Sequence, residues 1–98
     1  MKSLDQGVYR IIFPDGSWYV GSAKNIKGRC RVHRKLLYRG DHHNSRMQDL
    51  WNKWKSLKWE RVLVTSDFQE MWDTEERLIN ETDVGRINVQ TIVRRDHF

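Results

Sequence analysis

Two short clusters of β-branched and aromatic residues open the chain, and helical spacing takes over after them. Val8, Tyr9, Ile11, Ile12 and Phe13 read as one strand, and Trp18, Tyr19 and Val20 as its hairpin partner. Pro14-Asp15-Gly16 lies between them. Pro suits the first central position of a type I turn, and Gly then supplies the left-handed residue of a three-residue loop with a bulge. Loop length fixes the register. Pairing Phe13 with Ser17 sets Tyr9, Ile11 and Tyr19 on one face, whereas a two-residue loop at Asp15-Gly16 would send the tyrosines to opposite faces. The three-residue loop is the expected one.

Residues 25 to 38 have the spacing of a helix capped by Asn25 or a neighbour. At about 100° per residue, Leu36, Arg29, His33, Ile26, Leu37 and Cys30 share an inward arc, while Lys27, Arg31, Arg34 and Lys35 point away. Asp41-His42-His43-Asn44 is a polar break. Ser45 with Gln48 three residues later predicts a capping box for a second helix with the stripe Met47, Leu50, Trp51 and Trp54. Trp59 to Thr65 is a third strand. A third helix from about Gln69 to Glu81, capped by Ser66 or Asp67, carries Phe68, Met71, Trp72, Leu78 and Ile79 on one stripe. Glu75 falls within that stripe, whereas Asp73, Glu76 and Arg77 fall outside it. A short tail, residues 85–98, contains Arg86-Ile87-Asn88-Val89 and the basic pair Arg94-Arg95.

The order ββααβα predicts a small α/β (α+β) fold, a three-stranded, mainly antiparallel sheet flanked by three helices. Both faces of the hairpin carry apolar side chains, so helices are expected on both. Ninety-eight residues suffice for a single domain, with its core over about 7–82.

Charge narrows the class of partner. Eighteen Lys and Arg against thirteen Asp and Glu give +5, and the pI is near 9.7. Such a surface favours polyanions, because each phosphate neutralised releases condensed counterions. Cys30 is the one cysteine, which excludes a disulfide framework and a cysteine-based zinc site and suits a reducing compartment. No apolar run is long enough for a bilayer span, and residues 1–5 lack the apolar segment of a signal peptide, so no membrane partner and a cytoplasmic location are expected.

Ionisable residues inside apolar stripes require an account, because burying an unpaired charge is costly. Arg29, His33 and Glu75 are three such residues. They either pair with one another in a buried network or line a cleft. In a cleft, Glu75 would hold a hard divalent cation, Arg29 a phosphate and His33 a proton or hydrogen bond. The two tyrosines, taken alone, fit cross-strand packing as well as chemistry. His42 and His43 together lack the further partners of a zinc site. Gly21 fits either a close approach or a bend in the strand, and Cys30 fits a small apolar filler.

The motifs in order resolve the choice. Gly7-Val8-Tyr9 and Tyr19-Val20-Gly21-Ser22 resemble the two signature tripeptides of the GIY-YIG nuclease superfamily. Lys24-Asn25-Ile26-Lys27-Gly28-Arg29 followed by His33 resembles its Arg-x-x-x-His helix. Leu37-Tyr38-Arg39-Gly40-Asp41-His42, then Asn44 and Met47-Gln48, resembles its next segment. Glu75-Glu76-Arg77-Leu78-Ile79 resembles its acidic helix, which points to Glu75 over Glu76 for the metal. The resemblance spans residues 7 to about 82.

It implies a one-metal phosphodiester hydrolase of the homing or phage type acting on DNA with Mg2+ or Mn2+. Tyr9 resembles the family's base or water-positioning tyrosine, and Tyr19 would orient the scissile phosphate. Arg29 would neutralise phosphoryl charge, His33 would donate to phosphate or shuttle a proton, and His42 matches an additional loop histidine. Lys24, Lys27, Arg31, Arg34 and Arg46 are expected DNA contacts, and Asn88 resembles a late asparagine outside its usual context. Homing relatives join this module to a targeting domain, which the short tail does not resemble; a homodimer or a separate targeting protein would supply that role. The rival classes are a noncatalytic DNA-binding or inhibitor protein, which loss of a site residue would favour, and a structure-specific repair or recombination nuclease.

Overall fold

The computed structural model describes residues 4–81, so the Asn88 expectation and the basic tail lie outside the described residues. The elements are β1 (Gly7–Ile12), β2 (Trp18–Ala23), α1 (Ile26–Arg39), α2 (Ser45–Trp54), β3 (Lys58–Val64) and α3 (Phe68–Glu81), the expected order. The sheet is antiparallel throughout, in the order β2-β1-β3. In the hairpin, Phe13 N donates to Ser17 O at 2.8 Å and Gly16 N to Phe13 O at 2.9 Å, closing the three-residue loop. Ile11 therefore faces Tyr19, and Tyr9 faces Gly21.

One sheet face packs Tyr9, Ile11, Phe13 and Ala23 against Ile26, Cys30 and Leu37 of α1 and Met47 and Trp51 of α2. The other packs Val8 and Val20 against Met71 and Ile79 of α3. Gly7 admits β3, since a Cβ there would lie 1.8 Å from Leu63 O. Among the described residues, no helix is long and apolar enough to cross a membrane.

Several local expectations are corrected. Asn44, not Ser45, caps α2, its side chain accepting from Met47 N at 3.1 Å. Gln48 consequently does not close a capping box. It is buried and accepts from His42 N at 3.1 Å while donating to Leu37 O at 2.9 Å. Trp54 and Phe68 leave the core stripes, 38% and 37% exposed, because each sits in the terminal turn of its helix, beyond the reach of the sheet. Asp67 caps α3, accepting from Gln69 N at 2.9 Å. Asn25 caps α1 as expected, accepting from Gly28 N at 3.1 Å.

Candidate active site

The hairpin register delivers Tyr9 and Tyr19 to the α1-facing side of the sheet, with ring centroids 6.4 Å apart. His33, buried on α1, lies 5.7 Å from the Tyr9 ring and 5.5 Å from the Tyr19 ring. Its Nε2 is 2.7 Å from Tyr9 Oη and its Nδ1 is 2.8 Å from His42 Nε2. His42 is itself buried, and its Nδ1 accepts from Asn44 N at 3.0 Å. The loop histidine is thus packed into the interior against His33.

These contacts fix the direction of the chain of hydrogen bonds. Burial, aided by neighbouring His43, lowers His42 to about 4, so the ring is neutral at neutral pH. A backbone N–H on Nδ1 then requires its single proton to stand on Nε2, from which it is donated to His33 Nδ1. His33 is lowered to about 3, first by burial and then by His42, Arg29 and His43, so it too is neutral. Its proton stands on Nε2 and is donated to Tyr9 Oη. The phenol of Tyr9 accepts from the protein and keeps its own proton for another acceptor.

Arg29 departs from the expected placement. The helical phase aims its Cα inward, but the side chain is exposed. A long side chain can cover apolar surface with its stem and carry its charged head to water. Arg29 lines an open cleft of about 530 Å³ with Ala23, Lys24, Asn25, Gly28 and Val32. Its charge still reaches inward, lowering the pKa values of Tyr9, Tyr19 and His33.

Glu75 approaches from α3. It is half-buried and accepts from Ser22 Oγ at 2.6 Å. Ser22 faces α3 on β2, the strand at one edge of the sheet, and so fixes the carboxylate there. The Glu75 charge raises both phenols, acting from the α3 side of the sheet on rings that lie on the α1 side. For each tyrosine the largest upward influence is burial. Glu76 is half-buried as well, so helical phase separates the two acids less sharply than expected.

Two further residues, Ser22 and Gly21, take structural roles in the site. Ser22 is a small polar residue next to a motif glycine, and its alternation with Trp18 and Val20 on the α3 side is the available clue. Gly21 is required because a Cβ there would lie 2.5 Å from Tyr9 Oη. The close approach at Gly21 is therefore made by the Tyr9 ring.

The expected basic contacts divide between surfaces. Lys24 lines the cleft with Arg29, and its Nζ is 6.0 Å from the Phe68 ring centroid. Lys27, Arg31 and Arg34 line a separate groove on the other flank of α1. Arg46 is exposed in the first turn of α2. Cys30 is buried filler, its thiol pushed up to about 12, chiefly by burial.

No curated protein sequence matches the chain. The catalytic domain of intron endonuclease I-TevI, in a mutant form, superposes with a TM-score of 0.78 at 22% identity, covering 90% of this chain and 96% of that one. Another structure, the catalytic domain of homing endonuclease I-TevI, gives 0.76 at 23% identity, covering 87% of this chain and 98% of that one. The model of the GIY-YIG catalytic domain matches residues 5–88. With the signature tyrosines, the helix arginine and histidine, and the α3 glutamate all present, the chain belongs to the GIY-YIG family of nuclease domains.

Proposed function

We propose that the chain carries a divalent-metal-dependent DNA endonuclease domain of the homing or phage type. The observation that carries this reading is the polarised Tyr9–His33–His42 chain, whose phenol feels the charges of both Arg29 and Glu75.

The donor chemistry suits a hard cation. Glu75 offers a half-buried carboxylate beside the Ser22 hydroxyl. Among the described residues no cluster of three His, Cys, Asp or Glu could hold a metal. Mg2+ or Mn2+ fits this set, because magnesium uses one or two carboxylates and takes its other oxygens from water and substrate phosphate. Nucleases of the family are generally dependent on a divalent metal. When bound at Glu75, the ion supplies Lewis-acid stabilisation to the departing oxygen.

Tyr9 places the attacking water. Its Oη is anchored by the His33 N–H, and its proton points away from that bond. On ionisation the same N–H stabilises the phenolate, which takes the proton of water as the new P–O bond forms and the bond to the leaving oxygen breaks. Burial opposes ionisation, and Arg29 favours it. Arg29, open to solvent in the cleft, receives the scissile phosphate with its planar fork. Tyr19 orients that phosphate from the neighbouring strand. His33 and His42 act as positioning residues, the latter holding the former in its donating tautomer. Lys24 extends the phosphate track on the cleft side; Lys27, Arg31, Arg34 and Arg46 add longer-range attraction, and Asn88 lies outside the described residues. A homodimer or a separate targeting protein would add target choice.

The test is conversion of supercoiled plasmid to nicked or linear DNA by the purified chain with Mg2+ or Mn2+. EDTA abolishes the reaction on this reading, and an inert wild-type protein with either metal would refute it.

A further inference from the structure

A second basic site lies away from the cluster just described. The groove lined by Lys27, Arg31, Arg34, Lys35, Tyr38, Arg39 and Trp59 has a volume of about 620 Å³. It opens between α1 and β3, whereas Tyr19 and Ser22 belong to β2 at the opposite edge of the sheet. Lys27, Arg31, Lys35 and Arg39 follow one another at intervals of four on α1. Each step sets like charges side by side on the helix surface, an arrangement that destabilises an isolated helix. The acids nearby do little to offset them. Asp5 is engaged by Arg61 at 2.6 Å, and Asp41 meets Arg39 at 3.5 Å. Among the described residues, Arg31, Arg34 and Lys35 make no salt bridge.

Tyr38 lines the groove with these cations, its ring centroid 6.4 Å from that of Trp51, and is 82% exposed. Trp59, half-buried, forms the β3 wall of the groove, with the Arg61 guanidinium 4.9 Å from its ring centroid. A duplex presents stacked bases whose faces are covered, so an exposed ring among phosphate-binding cations is of little use to it. Interleaved cations and aromatic faces are the elements of a single-strand track, where phosphates meet charge and an unstacked base meets a ring.

We infer that the α1–β3 groove binds single-stranded DNA, with a base stacked on Tyr38 and flanking phosphates on Arg31, Arg34 and Lys35. This rests on nucleic acid being the substrate class but not on the cleavage chemistry.

The test is fluorescence anisotropy of a labelled oligothymidine titrated with the full chain in EDTA at low salt, beside plasmid nicking in Mg2+. Tyr38→Ala should weaken oligothymidine binding roughly tenfold. It should leave the affinity for an abasic strand of equal length, and the nicking rate, within about twofold of wild type. Lys35→Ala should weaken both strands alike and reduce the slope of log affinity against log salt by about 0.7. Wild-type protein that does not bind oligothymidine, or Tyr38→Ala with unaltered affinity, would overturn the inference. So would a parallel loss of nicking in Tyr38→Ala, which would assign the groove to duplex docking. Failure of nicking by wild type with oligothymidine binding intact would count against the nuclease reading alone.

Discussion

The Tyr9 ring occupies the space that any side chain at Gly21 would need, since a Cβ there would lie 2.5 Å from the phenol oxygen. The second signature glycine therefore serves the first signature tyrosine across the β1–β2 pair. Gly21→Ala should displace the ring and lengthen the 2.7 Å bond to His33. We expect nicking to fall by at least about tenfold, with an overpacking cost of about 1–3 kcal/mol. Cleavage rate and urea midpoint measured on the same preparation check this, and an active, fully stable variant would contradict it.

Ser22 holds the Glu75 carboxylate at 2.6 Å without needing to touch substrate. Loss of such an outer partner typically weakens metal binding by about 10–100-fold. Ser22→Ala should therefore raise the Mg2+ concentration for half-maximal nicking by that order while leaving the rate at saturating metal close to wild type. A metal titration separates the two parameters, and a lowered plateau with unaltered metal dependence would argue against the positioning role.

Buried neutral histidines make the fold acid-sensitive. His33 and His42 are lowered to about 3 and about 4, mainly by burial, against an ordinary value near 6.5. Below pH 6.5 the unfolded chain takes up protons that the folded chain refuses, so stability falls as the pH drops. The loss should run from about pH 6.5 down to the folded values. The charged and titratable groups that bear on the pair are Arg29, Tyr9, Tyr19 and His43. Urea midpoints at pH 7, 5.5 and 4.5 should decline steadily, and a His33→Gln/His42→Gln variant should show a shallower decline.

Gln48 ties the helices to the histidine loop through His42 N, Leu37 O and Asn52 Oδ1. Gln48→Leu leaves the buried His42 N–H without its partner, at a cost of about 1–3 kcal/mol, while Leu37 O keeps its bond from Gly40 N at 3.1 Å. The thermal midpoint should drop accordingly. Nicking below that midpoint should also weaken, because the backbone amide of His42 helps to set the ring that orients His33.

The limits of legibility follow from what periodicity encodes. Turn chemistry at Pro14-Asp15-Gly16 specified the register, and the register placed both tyrosines on one face. Helical phase located His33 correctly because a short ring goes where its Cβ points. It misplaced Arg29, whose long stem carries the guanidinium out to the cleft. His42 sits in a loop with no periodicity, so its burial against His33 followed from tertiary packing alone. The Ser45–Gln48 spacing suggested a cap, but Asn44 took that role because its side chain reaches Met47 N while Gln48 turns inward.

The central claim is that Tyr9, Arg29 and Glu75 act together in metal-dependent phosphodiester hydrolysis. Its most direct test is the single-turnover nicking rate of supercoiled plasmid in Mg2+, measured for wild type beside Tyr9→Phe, Arg29→Ala and Glu75→Ala from identical purifications. Wild type should nick, with a rate that rises with pH above neutrality as Tyr9 ionises, and each variant should lose at least about a hundredfold. Wild-type rates in the Glu75→Ala protein would contradict the account.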